Sequence, residues 1–586
     1  MTSLSLLGVV PTWITNWLTP LWLIGLGALI ALVVLLILWG VAFVLSRVPA
    51  IGQLAENRSL RSKVIPVLSV LSFFVLLGLT LPRLAGPDGV RDAEATVMTA
   101  LLLVPVALAC GLGLVWLTSR RTVAEVPQAI REGFLWPVFI LTLAFSAFAF
   151  VGAAVTTHPK EILNSIVRLP YSGESSKTFT IPAATAAVLE DESQDPPQHP
   201  IEVHIRTSEL HGFELTSDQS ITVDVKKAEA VDVAPMIEAS PGDTFAWQHR
   251  MDGKTLFEDE QIDTLYIRNY GLSDAKVIVK LVIRPMHPEV RSVAFTAVAI
   301  IAVFLLYILQ RAALPKMSAI ALATFKSEIA QPLFMIVMLV GVFALLAFIW
   351  IPYNTFGEDI KVLKDSGMVL IKVLCIIQAV WAASTSVSEE IEGRTALTVL
   401  SKPLRRRSFI LGKYLGIFLT VAVVFILLGT VLMLVTAYKP IYDAKENSLE
   451  QPIWQMCHLE MVGVVPGLLL AFMEVSILSA ISVAISTRLP MLANFIISFA
   501  IYVIGHLTPL LVQSSVEGKM FEAVVFVAQL LSTLFPVLDH FSIEAAVAAG
   551  VPVPYTYLGW ALLYTVIYGM IALLLALVLF EDRDLA

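Results

Sequence analysis

The sequence predicts a polytopic α-helical membrane protein of about eleven transmembrane helices, with an antiparallel β-sandwich domain inserted on the extracytoplasmic side. Three observations carry this expectation. Of 586 residues, 57% are hydrophobic and 15% charged, with a mean hydropathy of +0.82, whereas an ordinary soluble domain is roughly 25% charged. About eleven apolar stretches approach the ~20 residues needed to cross a bilayer, which puts roughly 240 residues in lipid. One polar block, 158–290, interrupts the series with 22 acidic and 12 basic residues; its net −10, within a total of −8, leaves the rest of the chain at +2. A soluble enzyme is excluded, and nucleic acid is not an expected partner. The three cysteines, Cys110, Cys375 and Cys457, offer neither a disulfide framework nor a metal site.

The N-terminal region, 1–157, holds four apolar runs near 20–45, 64–81, 96–118 and 134–157. Lysine and arginine sort the segments between them. Residues 46–63 hold Arg47, Arg58, Arg61 and Lys63, and 119–133 hold Arg120, Arg121 and Arg131, whereas 82–95 is net acidic. The N-terminus is therefore expected outside. No basic region precedes the first run, which is too long for a signal-peptide core and reads as a retained helix.

The block 158–290 follows on the outer face. Alternation in Ile201-Glu202-Val203-His204-Ile205, Ile221 to Val225 and Val277 to Ile283 marks half-buried strands. Pro196-Pro197, Ser240-Pro241-Gly242 and Asn269-Tyr270-Gly271 separate them as turns. Binding or docking, to a periplasmic or envelope partner, is the expected role. Six of the nine histidines (158, 199, 204, 211, 249, 287) lie in or beside this block. Without tight ligand spacing they read as a solvated surface and not as a metal store, so no metal ligand is assigned.

A fifth run and linker occupy 291–314. Six more runs lie near 332–351, 367–387, 409–437, 464–487, 490–512 and 556–580, within a unit spanning 315–586. Arg394, Lys402, Arg405, Arg406, Arg407 and Lys413 place 388–413 in the cytoplasm, and parity places the C-terminus there too. The apolar stretch 521–538 reads as re-entrant or interfacial, because a further full crossing would reverse that end.

The most informative segment is EEIEGRTALTVLSKPLRRRSFILGK, Glu389 to Lys413. Glu389, Glu390 and Glu392 are expected in the first turn of a short helix, 389–404, where the macrodipole favours anions. Pro403 ends it before a basic cluster at headgroup level. Upstream, 315–331 reads as an amphipathic helix along the inner interface, with Leu322, Phe325 and Ile329 on one face and Lys316, Thr324, Lys326 and Glu328 elsewhere.

This segment resembles that of the ABC-2 class of ABC-transporter permeases, in which the second and third spans of a six-span unit are joined by a cytoplasmic coupling helix. The likeness rests on Glu389, Glu390, Glu392, Gly393, Arg394, Thr395, Leu397, Leu400, Ser401, Pro403, Arg405 to Arg407, Gly412 and Lys413. The helix ahead of Gln331-Pro332-Leu333-Phe334 is similar to the family's elbow helix, and Ser479 to Ala484 with Arg488 and Ala493 to the small-residue turn between its fourth and fifth spans. The resemblance covers about 315–586. It implies that Glu389, Glu390, Glu392, Gly393, Arg394, Thr395, Leu397, Leu400 and Pro403 contact an ABC ATPase subunit, and that the permease works as a homodimer or heterodimer. It implies no catalytic residue.

No GxxxxGK[ST] phosphate cradle occurs in the chain. The chain is therefore expected to hold no cofactor of its own, ATP and Mg being bound by the partner ATPase. Glu474 lies mid-span and is the candidate pathway residue, with an interhelical hydrogen bond as the competing role. Lys372 is expected to snorkel outward, and His506, Trp381, Ser384 and Thr385 to pack. The expected function is the permease subunit of an exporter in the cytoplasmic membrane. The alternative is ATP-driven mechanotransmission or assembly through the outer domain, as in relatives serving copper-enzyme maturation and gliding motility. An integral-membrane transferase would want acidic residues in outer loops, but the loop after the first span is basic.

Overall fold

The computed structural model describes residues 11–49, 57–80, 93–156, 158–169, 172–184, 196–225, 237–249, 256–257, 261–351, 358–393, 405–517 and 522–581. It divides into two compact units: Met1–Thr157 with Ser292–Ala586, and His158–Arg291.

The first unit is helical. Its first part comprises α1 (Thr12–Arg47), α2 (Arg58–Thr80), α3 (Ala93–Trp116), the short amphipathic α4 (Arg120–Arg131) and α5 (Leu135–Gly152). Gly25 lets α1 lie against α5, since a Cβ there would stand 2.7 Å from the Phe145 carbonyl oxygen. Trp22 Nε1 donates to the Ala149 carbonyl at 2.8 Å in the same contact. Arg120 donates from Nε to the Ser46 carbonyl at 2.9 Å, which joins α4 to the end of α1.

The chain re-enters this unit through α7 (Arg291–Ala313), α8 (Pro315–Ile329), α9 (Pro332–Ala347) and α10 (Asp359–Ala383); the label α6 belongs to Pro159–Arg168 in the second unit. Then follow α11 (Arg406–Glu446), α12 (Trp454–Gly463), α13 (Val465–Ser486), α14 (Met491–Glu517), α15 (Glu522–Leu534), the single turn α16 (Glu544–Ala548) and α17 (Tyr555–Glu581). Among the described residues, ten helices, or eleven if the bent pair α8–α9 counts as one span, are long and apolar enough to cross a membrane. The protein is thus membrane-embedded and polytopic. At 13 residues, or about 20 Å, α15 alone is too short to cross the ~30 Å hydrocarbon core.

The core of this unit centres on α10, α11 and α13. Met368, Ile371, Cys375 and Ala379 of α10 meet Ile417, Val424, Leu428 and Leu432 of α11 and Ala471 and Val475 of α13, all within 3% of full burial. Gly341 and Gly367 admit Leu428 and Leu432, whose methyls lie 2.7 and 2.5 Å from where a Cβ would stand.

Among its described residues the second unit carries eight strands: β1 (Gly173–Ile181), β2 (His199–Arg206), β3 (Leu210–Ser217), β4 (Ile221–Asp224), β5 (Ile237–Ala239), β6 (Thr244–Gln248), β7 (Gln261–Asn269) and β8 (Ala275–Ile283). They form two four-stranded antiparallel sheets, ordered β1-β8-β3-β6 and β2-β7-β4-β5. The three alternating runs read from the sequence fall in β2, β4 and β8. Their buried rows share one cluster: Ala275, Val277, Val279 and Leu281 alternate inward on β8, with Ile201, Val203 and Ile205 from β2 and Leu265 and Ile267 from β7. The register of β2 slips between Glu202 and Ile205, a bulge on an edge strand. Asn269 holds the predicted turn, accepting from the Gly271 amide at 2.8 Å and donating to the Ser273 carbonyl at 2.9 Å. Gly242 sits at φ +75°, which suits the Ser240-Pro241-Gly242 turn to glycine.

Candidate functional site

The segment 389–413 begins where α10 ends, and the manner of ending differs from the sequence expectation. The helix does not stop before Glu389. Ser384–Glu389 continue it in π-helical geometry, Glu390–Glu392 add an α turn, and Gly393 closes it with its amide on the Glu389 carbonyl at 2.8 Å. Glu389 and Glu390 thus stand at a helix C-terminus, where the dipole disfavours anions, and not in the first turn of a separate helix. Lys413, near the start of α11, offsets this for Glu390: its Nζ lies 2.5 Å from Glu390 Oε1 and 5.6 Å from the Phe409 ring centroid. Lys413 is buried, Ile391 is buried, and Glu389 is exposed. Arg394, Thr395, Leu397, Leu400 and Pro403 lie outside the described residues, as does the side chain of Glu392.

A π-turn inserts one residue into the α repeat and redirects the side chains after it. Ser384, at the start of the turn, meets α14. Asn494 of α14 is fully buried, with Nδ2 2.8 Å from Ser384 Oγ and 2.9 Å from the hydroxyls of Ser482 and Ser486, while Oδ1 accepts from Ser498 at 3.1 Å. Ser388 Oγ donates to the Leu489 carbonyl at 3.0 Å. One amide therefore joins the end of α10 to α13 and α14. The sequence reading singled out the small residues at 479–484 and passed over Asn494, whose signal was a lone carboxamide in an apolar run.

The helix α8 lies against α11. A Cβ on Gly412 would fall 2.7 Å from Ile320 Cβ, and one on Gly416 2.6 Å from Thr324 Cβ, so two glycines one turn apart bring the helices together. The pair α8 and α9 is bent by 64° at Ala330-Gln331. The buried face of α8 is Ser318, Ile320, Ala321, Thr324, Phe325 and Glu328. Thr324 and Glu328, expected on the polar side, are therefore inside, and Leu322 and Ile329 are only half-buried. Glu328 Oε1 accepts from Thr385 Oγ1 at 3.1 Å and Gln331 Nε2 at 3.4 Å, and Trp381 Nε1 donates to Gln331 Oε1 at 2.5 Å. Trp381 and Thr385, expected only to pack, tie α10 to the bend.

A second polar centre lies deeper. Glu474 of α13 is 0% exposed. Lys372 of α10 does not snorkel: it is buried, with Nζ 2.6 Å from Glu544 Oε1, 3.3 Å from Glu474 Oε2 and 3.4 Å from Ser542 Oγ. A buried carboxylate on α16 was closer than the headgroups. His506 of α14 completes the group, with Nε2 2.9 Å from Ser542 Oγ and 3.3 Å from Glu474 Oε1. The sequence reading missed Glu544, which stands in an irregular stretch assigned to no element. Nearby on α10, Gln378 is fully buried with neither amide atom hydrogen-bonded.

Among the described residues, no group of three or more His, Cys, Asp or Glu side chains is placed to hold a metal ion. No protein-family model matches the chain, and no curated protein matches it.

Proposed function

We propose that this protein is the permease subunit of an ABC exporter of the ABC-2 kind, seated in the cytoplasmic membrane with the 389–413 segment in the cytoplasm and the 158–290 domain, a β-sandwich, outside. A separate ABC ATPase binds ATP and Mg and pushes on that segment, and two permease copies, alike or different, complete the transporter. The observation that carries this reading is the junction between α10 and α11. The two described ends of the segment are joined by the Glu390–Lys413 ion pair. They are tied to the bend after α8 through Thr385 and Glu328, and to α13 and α14 through Ser384 and Asn494. Force on the loop reaches five helices through short polar contacts, which a loop that merely sets topology does not need. Glu474 lies on the intramembrane side of this assembly as the pathway or gating group.

Co-reconstitution with its ATPase tests the reading. Replacing Glu389 and Glu392 by lysine is expected to abolish stimulation of ATP hydrolysis by the permease; unchanged stimulation removes the assignment. A second reading, force transmission to an envelope partner, is favoured by the compact second unit with its own core. Deleting 165–285 separates the two readings: transport persists if that unit is accessory and fails if it is the output.

A further inference from the structure

The group Lys372, Glu474, Glu544 and His506 is short of one proton. Nδ1 of His506 lies 3.0 Å from the Tyr502 carbonyl oxygen, which can only accept, so Nδ1 carries a hydrogen. A neutral ring then presents a lone pair at Nε2, to which the Ser542 hydroxyl donates. Glu474 Oε1 stands 3.3 Å from that same nitrogen, carboxylate against lone pair. Glu474 Oε2 has only the Lys372 ammonium at 3.3 Å, shared with Glu544, and Oε1 accepts no hydrogen bond, although the side chain is wholly excluded from solvent. An ionised carboxylate so placed is costly. The charges agree: one ammonium faces two carboxylates, and one additional proton brings the sum to zero. The other ionisable groups in electrostatic range are Asp365 on α10, Tyr502 on α14 and Asp539 in the turn before α16. Both aspartates add negative potential, which favours the extra proton.

We propose that the Glu474–His506 pair is a binding site for one exchangeable proton, and that this proton holds the turn 537–548 against α10, α13 and α14. The turn is anchored by the Leu538 amide on the Gly505 carbonyl at 3.1 Å, by Ser542 on His506 and by Glu544 on Lys372. Two of those three anchors belong to the proton-sharing group; two further bonds, the Val537 amide on the Tyr564 hydroxyl at 3.0 Å and the Tyr557 hydroxyl on the His540 carbonyl, tie the turn to α17 independently of the proton. Loss of the proton leaves a net negative charge buried there, and the relief open to the protein is to swing Glu544 and its turn toward water. The site stands whether or not the chain works with an ATPase.

The test uses the full chain in lipid nanodiscs, followed by pH-difference infrared spectroscopy and by amide exchange of 537–548 corrected for intrinsic rates, from about pH 4 to 10. The wild type is expected to show a one-proton transition carrying buried-carboxyl or imidazolium bands, with amide protection falling at least tenfold as the proton leaves. Glu474→Gln keeps the cluster neutral and supplies a donor to His506, so its transition vanishes and the turn stays protected at all pH. Glu544→Gln removes one carboxylate, and the transition moves at least one unit lower. No transition in the wild type, an unchanged one in Glu474→Gln, or an unshifted one in Glu544→Gln overturns the proposal.

Discussion

Replacing Glu390 by glutamine strips the Lys413 ammonium of its carboxylate. The magnitude follows from exposure: the Lys413 side chain is 7% exposed and that of Glu390 33%. Breaking a fully buried pair by removing one partner costs about 3–5 kcal/mol, and water reaching the open side of Glu390 brings this to about 2–3 kcal/mol. The loss falls on the π-turn and the last turn of its helix, an end segment that opens without unfolding the rest of the bundle. Amide exchange at Ser384–Gly393 is therefore expected to accelerate by roughly 30- to 140-fold, at tenfold per ~1.4 kcal/mol. The double variant Glu390→Gln with Lys413→Met removes both charges and is expected to recover at least half of the loss. Hydrogen-exchange mass spectrometry of the lipid-embedded protein measures both. An acceleration below threefold in the single variant, or a double variant no slower to exchange than the single, refutes the view that this pair holds the junction together.

Three further outcomes are expected. Asn494→Leu deletes four polar contacts worth about 0.6 kcal/mol each in a membrane, so it lowers resistance to detergent unfolding by about 2 kcal/mol, while Asn494→Asp loses less. Gly416→Leu forces a side chain into Thr324, so it lowers resistance to detergent unfolding by about 1–3 kcal/mol, and unchanged resistance contradicts the close α8–α11 contact. Residues 158–291 expressed alone fold, with a cooperative thermal transition and strand-rich circular dichroism, because their core is closed within the unit; a chain that stays unfolded contradicts this.

Much of the architecture was legible because hydropathy and alternation are properties of neighbouring residues. Ten of the apolar runs appear as helices of spanning length, the run at 332–351 reaches that length only together with α8, and the turn residues at 240–242 and 269–271 fall between strands. Pro315 and Pro332 open α8 and α9. What escaped depends on residues far apart in sequence. Lys372 and Glu544 are separated by 172 positions, so nothing near Lys372 announced a partner other than the headgroups. Asn494 meets Ser384 across 110 positions. The π-turn was hidden for another reason: Ser384 to Glu389 has the composition of an interfacial loop, and its hydroxyls are satisfied inside the helix, as Ser384 is on the Val380 carbonyl and Ser386 on the Ala382 carbonyl.

The 41 residues of α11 measure about 60 Å, twice the hydrocarbon thickness. The end remote from Lys413 does not fray: Lys439 is bound to Asp443 at 2.8 Å and to the Ile349 carbonyl at 3.2 Å. Pro440 interrupts the backbone ladder only near that end, so the length before it would move as a boom if the helix tilts as one piece. A tilt of about 5° at its foot sweeps the tip through roughly 5 Å, enough to carry a side chain past its neighbour, with no rearrangement inside the helix. Angular play as small as that within the packed bundle would suffice to be felt on the opposite face of the bilayer.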